Sequence, residues 1–275
     1  MIIAFIGGGN MARSLIGGLL ARDWRAQQIV VAEPIPAQRD ALRTQLGVRV
    51  TDDNATAARE ADIVVLAVKP QEMQHAALGI KDAIAARRPL LISVAAGIRA
   101  SDIQRWLPGV PIVRSMPNRP ALQGCGMTGL YATADVSSER RAQAEQILGA
   151  VGATLWLERE QHMDIVTAVS ASGPAYFFLL IEMLEHAGVA QGLAPEVSRR
   201  LAIETAYGSG AMAHAASESP AVLRQQVTSK GGTTEAALQV LEERHIREAF
   251  DAAVAAATRR AARLADEFGA DQQPL

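Results

Sequence analysis

The stretch Phe5-Ile6-Gly7-Gly8-Gly9-Asn10-Met11-Ala12 constrains this chain more than any other. It joins an apolar run, Ile2–Ile6, to a helix-forming stretch, Met11–Arg22, through three consecutive glycines. The pattern is G-x-G-x-x-A, with Gly7, Gly9 and Ala12 at the defining positions. Each position has a steric reason. Gly7 permits the tight turn out of a strand. Gly9, without a Cβ, lets a pyrophosphate approach the backbone, and Ala12 keeps the helix close to the strand. The helix start then offers unpaired N–H groups and a partial positive charge to an anion. Gly7, Gly8, Gly9, Asn10, Met11 and Ala12 are therefore expected to cradle a dinucleotide, NADP or NAD.

The rest of the first half repeats this alternation. Apolar runs at Ile29–Ala32, Ile63–Val68, Leu90–Val94, Ile112–Arg114, Thr128–Tyr131 and Thr154–Leu157 are separated by helical stretches such as Pro36–Leu46 and Gln71–Ala86. The first runs are nearly continuous in Val, Ile, Leu and Ala, as strands buried on both faces of a parallel sheet are. Beyond about residue 160 the pattern holds no strand. Long Ala/Leu/Glu/Arg stretches are broken at Gly188, Gly192, Ser219-Pro220 and Gly231-Gly232. The predicted fold class is α/β: an N-terminal Rossmann-type doubly wound sheet, residues 1–160, followed by an all-helical C-terminal dimerisation domain, residues 161–275. The polar join Glu158–Gln161 is expected to lead directly into a long helix.

Composition limits the function classes. The chain has 275 residues, 49% hydrophobic and 20% charged, with a net charge of −2. It is neither disordered nor drawn as a whole to nucleic acid or an anionic membrane surface. With one cysteine, Cys125, an intrachain disulfide is impossible, which fits a reducing compartment. Cys125 itself reads as incidental. The N-terminus lacks the features of a signal peptide, and no apolar run reaches the ~18 residues of a membrane span. The expectation is a soluble cytoplasmic protein with no nucleic-acid or membrane partner.

Further cofactor-side residues follow the later strands. In Ala32-Glu33-Pro34, a carboxylate at Glu33 would accept the adenine ribose hydroxyls and repel a 2′-phosphate, which favours NADH. Arg39, one turn on, would favour a phosphate if free, but is expected to be a solvated helix charge. Asn54 opens the next helix as an N-cap or reaches the ribose. Val68, Lys69 and Pro70 end one strand, Ala95, Ala96 and Gly97 follow the next, and Asn118 of Met116-Pro117-Asn118 follows the one after. All lie where open α/β sheets bind ligands.

Two segments stand out in the helical half. Ser170-Ala171-Ser172-Gly173-Pro174-Ala175-Tyr176 puts Gly-Pro at a helix start. Val227-Thr228-Ser229-Lys230-Gly231-Gly232-Thr233-Thr234 is a Gly-rich polar loop running into a helix; it either holds a carboxylate on backbone N–H groups or merely connects helices. Ile246–Phe268 is apolar around much of its circumference and is read as a dimer interface in preference to an intrachain core. His162, His186, His214 and His245 lack metal-ligand spacing and are expected to be ordinary helix residues, with no metal site. Met163, Met183 and Met212 are expected to fill core gaps.

Together these motifs resemble the pyrroline-5-carboxylate reductase family over essentially the whole chain. The resemblance rests on F-I-G-G-G-N-M-A, A-V-K-P, A-A-G, M-P-N-R-P-A, S-G-P-A-Y and V-T-S-K-G-G-T-T, the last two being specific in order and spacing. It implies hydride transfer from NAD(P)H to the imine carbon of L-1-pyrroline-5-carboxylate, giving L-proline. It implies that backbone groups around Gly231, Gly232 and Thr233, with Ser229, hold the substrate carboxylate. Thr234 would bond the ring nitrogen and pass a proton as the catalytic residue. It also implies a homodimer through the C-terminal helices, with the substrate loop near the partner subunit, and further assembly to a decamer. This chain has Lys230 where the family usually has Pro, Arg119 where it has Thr, and Glu33 where a small or hydroxyl-bearing residue is common. Two other readings stand beside it. A β-hydroxyacid dehydrogenase would carry a catalytic Lys after the Gly-rich segment, and none occurs between Lys81 and Lys230. An NAD(P)-binding sensor without turnover, or a reductase of related cyclic imines, is separated by assay.

Overall fold

The computed structural model describes residues 1–270. The described residues form two compact units: residues 1–171 together with residues 257–270, and Ser172–Ala256.

In the first unit the elements run β1 (Ile3–Ile6), α1 (Asn10–Leu20), β2 (Ile29–Ala32), α2 (Pro36–Leu46), β3 (Arg49–Thr51), α3 (Asn54–Ala58), β4 (Ile63–Leu66) and α4 (Met73–Ile84). They continue with β5 (Leu90–Ser93), α5 (Ala100–Trp106), β6 (Ile112–Pro117), β7 (Gly126–Ala132), α6 (Ser138–Leu148), β8 (Gly152–Trp156) and α7 (His162–Val166). The sheet order is β3-β2-β1-β4-β5-β6-β7-β8. Its first six strands in chain order are parallel, while β7 runs antiparallel to β6 and pairs parallel with β8. This is the doubly wound order, with its switch point between β1 and β4.

The near-continuous apolar runs have the predicted cause. Ile3 and Phe5 of β1 enter one core and Ala4 and Ile6 the other, so the strand is buried on both faces. Strand β3 has no counterpart among the expected strands. It is a three-residue edge strand, Arg-Val-Thr, half-exposed, and too short to show a period.

Helix α7 runs through one π turn, Thr167–Ala171, into the next helix. It packs on the sheet where Gly129 of β7 leaves room. A Cβ at Gly129 would lie 2.9 Å from Val166 Cγ1. The expected division, 1–160 and 161–275, follows the last strand. Packing groups the chain differently, keeping His162–Ala171 with the sheet; residues 271–275 lie outside the described residues.

The second unit holds α8 (Gly173–Ala190), α9 (Pro195–Ala215), α10 (Pro220–Gln226), α11 (Thr233–Glu243) and the first half of α12 (Ile246–Gly269). Ser198 Oγ of α9 donates to Glu185 O of α8 at 2.7 Å, fixing that helical hairpin. Much of the unit's apolar surface is exposed, including Phe177, Phe178, Leu201 and Tyr207. Met163 of the first unit fills core space as expected, but Met183 and Met212 are exposed, because this small unit buries few side chains.

Three further expectations are corrected. The second half of α12 is an intrachain element: Ala261 and Ala265 are buried, and Leu264 and Phe268 close over Gly97 in the first unit. His245 is no helix residue but a left-handed turn (φ 55°) joining α11 to α12. By length and composition alone, the helical run His162–Ala190 is long and apolar enough to cross a membrane, with a hydropathy of 1.5. Ser170, Ser172 and Glu182 interrupt the apolar run in the sequence, whereas an average over the helix absorbs them.

Candidate functional site

The three glycines after β1 are not equivalent. Gly7 turns the chain with φ +97°, and a Cβ there would lie 2.7 Å from Ala67 O of the neighbouring strand end. Gly8 is buried, and a Cβ there would meet Leu42 Cδ1 at 2.6 Å. Gly9, the residue capping α1, is exposed, and a Cβ there would meet no protein atom within 4 Å. Protein packing thus requires the first two glycines, while the third faces open space. The first intrahelical bond is Arg13 N to Gly9 O at 3.0 Å, so the amides of Asn10, Met11 and Ala12 precede the ladder. Ala12 is fully buried and seats the helix on the sheet. An open cradle on a helix start of this length fits a pyrophosphate.

Glu33 follows β2 and is 6% exposed. Its Oε2 accepts Gly8 N–H at 3.0 Å and its Oε1 accepts Ile35 N–H at 3.0 Å. Arg39 is not a solvated charge. Its Nη1 donates to Glu33 O and Pro34 O, both at 2.8 Å, and its Nη2 lies 3.7 Å from Asp52. Asn54 is not the N-cap of α3; Asp53 is, accepting Thr56 N–H at 2.7 Å. Those bonds hold the exposed Asp53 carboxyl below the usual aspartate range, the Thr56 side-chain hydroxyl contributing most. Asn54 itself is a half-buried first-turn residue.

The other expected cofactor-side residues gather at the carboxyl edge of the same sheet. Val68 is half-buried and Lys69 exposed, and Pro70 starts a short 3-10 turn. Ala95 is buried in the core rather than presented to a ligand, while Ala96 is half-buried. Gly97 (φ +70°) is a glycine for the sake of α12: a Cβ there would lie 3.2 Å from Phe268 Cδ2. The Asn118 amide is engaged on both sides, its Oδ1 accepting Met127 N–H at 2.9 Å and its Nδ2 donating to Ser170 Oγ at 3.3 Å. The side chain fastens the strand end to the π turn. Ser14 Oγ donates to Ala121 O at 2.7 Å, tying the loop that begins at exposed Arg119 to α1.

In the second unit, the loop between α10 and α11 is ordered by its own bonds. Thr228 Oγ1 donates to Arg224 O at 2.6 Å, and Gly231 adopts φ +73°. Two of the amides expected to hold a carboxylate are already committed: Gly231 N–H to Glu235 Oε2 at 2.6 Å, and Gly232 N–H to Ser229 O at 3.0 Å. Gly232 caps α11, and the first bond of that helix is Ala236 N to Gly232 O. The amides of Thr233 and Thr234 therefore face outward as the helix start. Thr233 is exposed and Thr234 half-buried. Within this unit Tyr176 meets Phe250 edge-on (centroids 6.4 Å apart), beside an apolar cavity of about 230 Å³ lined also by Leu179, Met183, Ile246 and Ala253.

One polar cluster of the first unit was not foreseen, because its members are far apart in the chain. Buried Arg114 on β6 pairs with Glu160, Arg99 pairs with Asp266 at 2.7 Å, and Asp164 lies among them. Burial first, and the nearby Glu160 and Asp266 carboxylates second, push the Asp164 carboxyl above the usual aspartate range against the pull of Arg114 and Arg99. Among the described residues no group of three or more His, Cys, Asp or Glu side chains is placed to hold a metal ion. Cys125 is exposed.

Comparison with known proteins places these features in context. Residues 160–264 match the family model described as pyrroline-5-carboxylate reductase dimerisation, and residues 2–97 match the one described as NADP oxidoreductase coenzyme F420-dependent. A pyrroline-5-carboxylate reductase of Pseudomonas aeruginosa is 45% identical over 268 residues, covering 97% of this chain and 98% of that protein. The solved structure of a pyrroline-5-carboxylate reductase from Coxiella burnetii superposes with a TM-score of 0.92 at 41% identity, covering 95% of this chain and 97% of that one. A Plasmodium falciparum pyrroline carboxylate reductase with NADP bound superposes at 0.83 with 28% identity, covering 96% of this chain and 98% of that one.

Proposed function

The chain belongs to the pyrroline-5-carboxylate reductase family, and we infer that it reduces L-1-pyrroline-5-carboxylate to L-proline, the last step of proline biosynthesis, with NADPH or NADH as reductant. The observation in its own structure that carries this reading is Gly9. It is open to solvent at the start of α1, where its neighbours Gly7 and Gly8 are closed in by protein. When bound, the nicotinamide dinucleotide supplies the hydride that adds to the imine carbon, and one proton balances the reaction.

The chain's own residues bind and orient. Gly7, Gly8, Gly9, Asn10, Met11 and Ala12 form the pyrophosphate cradle, with the amides of Asn10, Met11 and Ala12 aimed at it. Glu33 and Asn54 lie on the adenine-ribose side. Val68, Lys69, Pro70, Ala96, Gly97 and Asn118 line the sheet edge along which the nicotinamide half extends, with Ala95 packed in the core behind them. The substrate carboxylate is assigned to the start of α11, through the amides of Thr233 and Thr234, with Ser229, Gly231 and Gly232 shaping the loop. Thr234 Oγ1 bonds the ring nitrogen and passes it a proton. A protonated cyclic imine is already electrophilic, so positioning contributes more than strong acid catalysis.

In this reading residues 1–160 bind the dinucleotide, and residues 161–275 bind substrate and form a homodimer through exposed apolar helix faces, from which a decamer is built. The enzyme works in the cytoplasm. The test is a spectrophotometric assay with each reduced cofactor. Oxidation of NADH or NADPH that depends on pyrroline-5-carboxylate supports the reductase; tight nucleotide binding without oxidation means a sensor.

A further inference from the structure

We propose that Glu33 makes this chain selective for the dinucleotide without a 2′-phosphate, so that NADH and not NADPH is its preferred reductant. The inference rests on the cofactor reading above and goes beyond it to the choice between the two nucleotides.

Glu33 stands immediately after the carboxyl end of β2, with its own N–H donated to Thr51 O at 2.9 Å. Its carboxylate is clamped in place by two backbone donors, Gly8 N–H and Ile35 N–H. The first of these belongs to the glycine loop itself, so the carboxylate is fixed against the pyrophosphate cradle. A carboxylate has about four acceptor directions, and two N–H bonds leave others for ribose hydroxyls. A diol can donate into them. A phosphate dianion has no proton to give and brings like charge against a group held too rigidly to swing away.

A phosphate would be accepted if a cation stood ready beside Glu33. Two arginines are close enough in the fold, and both are committed elsewhere. Arg39 holds the main-chain carbonyls of Glu33 and Pro34 and lies against Asp52. Arg13 donates to Gly8 O at 3.0 Å and to Gln38 O at 3.2 Å. These bonds support the loop around Glu33 and hold both guanidiniums on its main chain, with Arg39 also facing the Asp52 carboxylate.

The test is direct binding to the full-length protein, with no turnover required. NADH and NADPH are titrated into the wild type and Glu33→Gln, followed by nucleotide fluorescence, with melting curves on both proteins. Gln keeps an acceptor for one amide, removes the charge and adds a donor. The expected result is a wild-type dissociation constant at least ten-fold lower for NADH than for NADPH, and a ratio at least five-fold smaller in the variant. Equal or tighter NADPH binding by the wild type overturns the proposal, as does a folded variant with an unchanged ratio. A second measurement needs only the wild type: adenosine 5′-monophosphate is expected to displace NADH at a lower concentration than adenosine 2′,5′-bisphosphate, and the reverse order overturns the proposal. A wild type that binds neither dinucleotide defeats the cofactor reading itself, which separates the two failures.

Discussion

Arg114 Nη1 lies 2.9 Å from Glu160 Oε1, and the same oxygen accepts the amide of Ala100 at 2.6 Å. One carboxylate thus joins the middle of β6, the start of α5 and the approach to α7. The Arg114 side chain is only 5% exposed, so removing its partner strands a buried charge. Glu160→Ala is expected to cost about 3 kcal/mol and to lower the melting temperature by roughly 6–12 °C. Replacing both residues by Leu is expected to recover much of that loss. Thermal denaturation decides it, and a Glu160→Ala melt equal to wild type contradicts the assignment.

Asp164 carries a pH dependence whose sign follows from its environment. Its folded-state pKa is raised above the ordinary 3.8, burial being the largest cause. The folded protein therefore holds that proton more tightly than the unfolded chain. The resulting stability is fully present below the ordinary aspartate range and is lost as pH rises through the folded value. Asp164→Asn is accordingly expected to be more stable than wild type at neutral pH, with the advantage vanishing in acid. Denaturant midpoints at both pH values test this; a destabilised variant at neutral pH contradicts it.

Gly7 and Gly9 should separate folding from binding. Gly7→Ala forces φ +97° on a residue with a Cβ facing Ala67 O, and is expected to destabilise the fold by about 1–3 kcal/mol or more. Gly9→Ala meets no protein atom and is expected to leave the melt unchanged while weakening dinucleotide binding about ten-fold, or 1.4 kcal/mol. Paired melting curves and nucleotide titrations check both; equal effects on stability would remove the distinction.

Thr234→Ala is expected to lower turnover by about 10–10³-fold, the range spanned by losing one positioned proton donor or polar group. Thr234→Ser should retain most activity, because the hydroxyl remains. Steady-state kinetics with pyrroline-5-carboxylate report the outcome, and wild-type turnover in the alanine variant removes Thr234 from the mechanism.

Phe178 is 64% exposed on α8, in the segment that matches a dimerisation family. A charge on that surface is costly only if the surface is covered. Phe178→Glu is expected to convert the oligomer to monomer, measured by light scattering after size exclusion, with the unit still helical by circular dichroism.

How far the sequence could be read depended on the range of the interactions involved. Strands β1, β2, β4 and β5 were legible because burial on both faces demands unbroken apolar runs. Edge strand β3 was not, since three half-exposed residues hold no period. The glycine loop was legible as a motif, yet its three glycines look alike in sequence and only packing separates Gly9 from Gly7 and Gly8. Asn118 and Gly97 stand out by position alone, but their partners, Met127, Ser170 and Phe268, belong to distant segments. The cluster of Arg99, Arg114, Glu160, Asp164 and Asp266 left no local signal at all.

The sequence by itself determined what depends on near neighbours: the alternation of strand and helix, the glycine turn that opens the first helix, and the motifs that carry the family. The tertiary structure alone decided which groups are still available. Arg39 reads as a free cation until its guanidinium is seen on the carbonyls of Glu33 and Pro34. Gly231 and Gly232 read as open amides until Glu235 and Ser229 are seen to occupy them. Hydrogen bonds saturate, so a donor's role depends on which acceptor folding brings to it first.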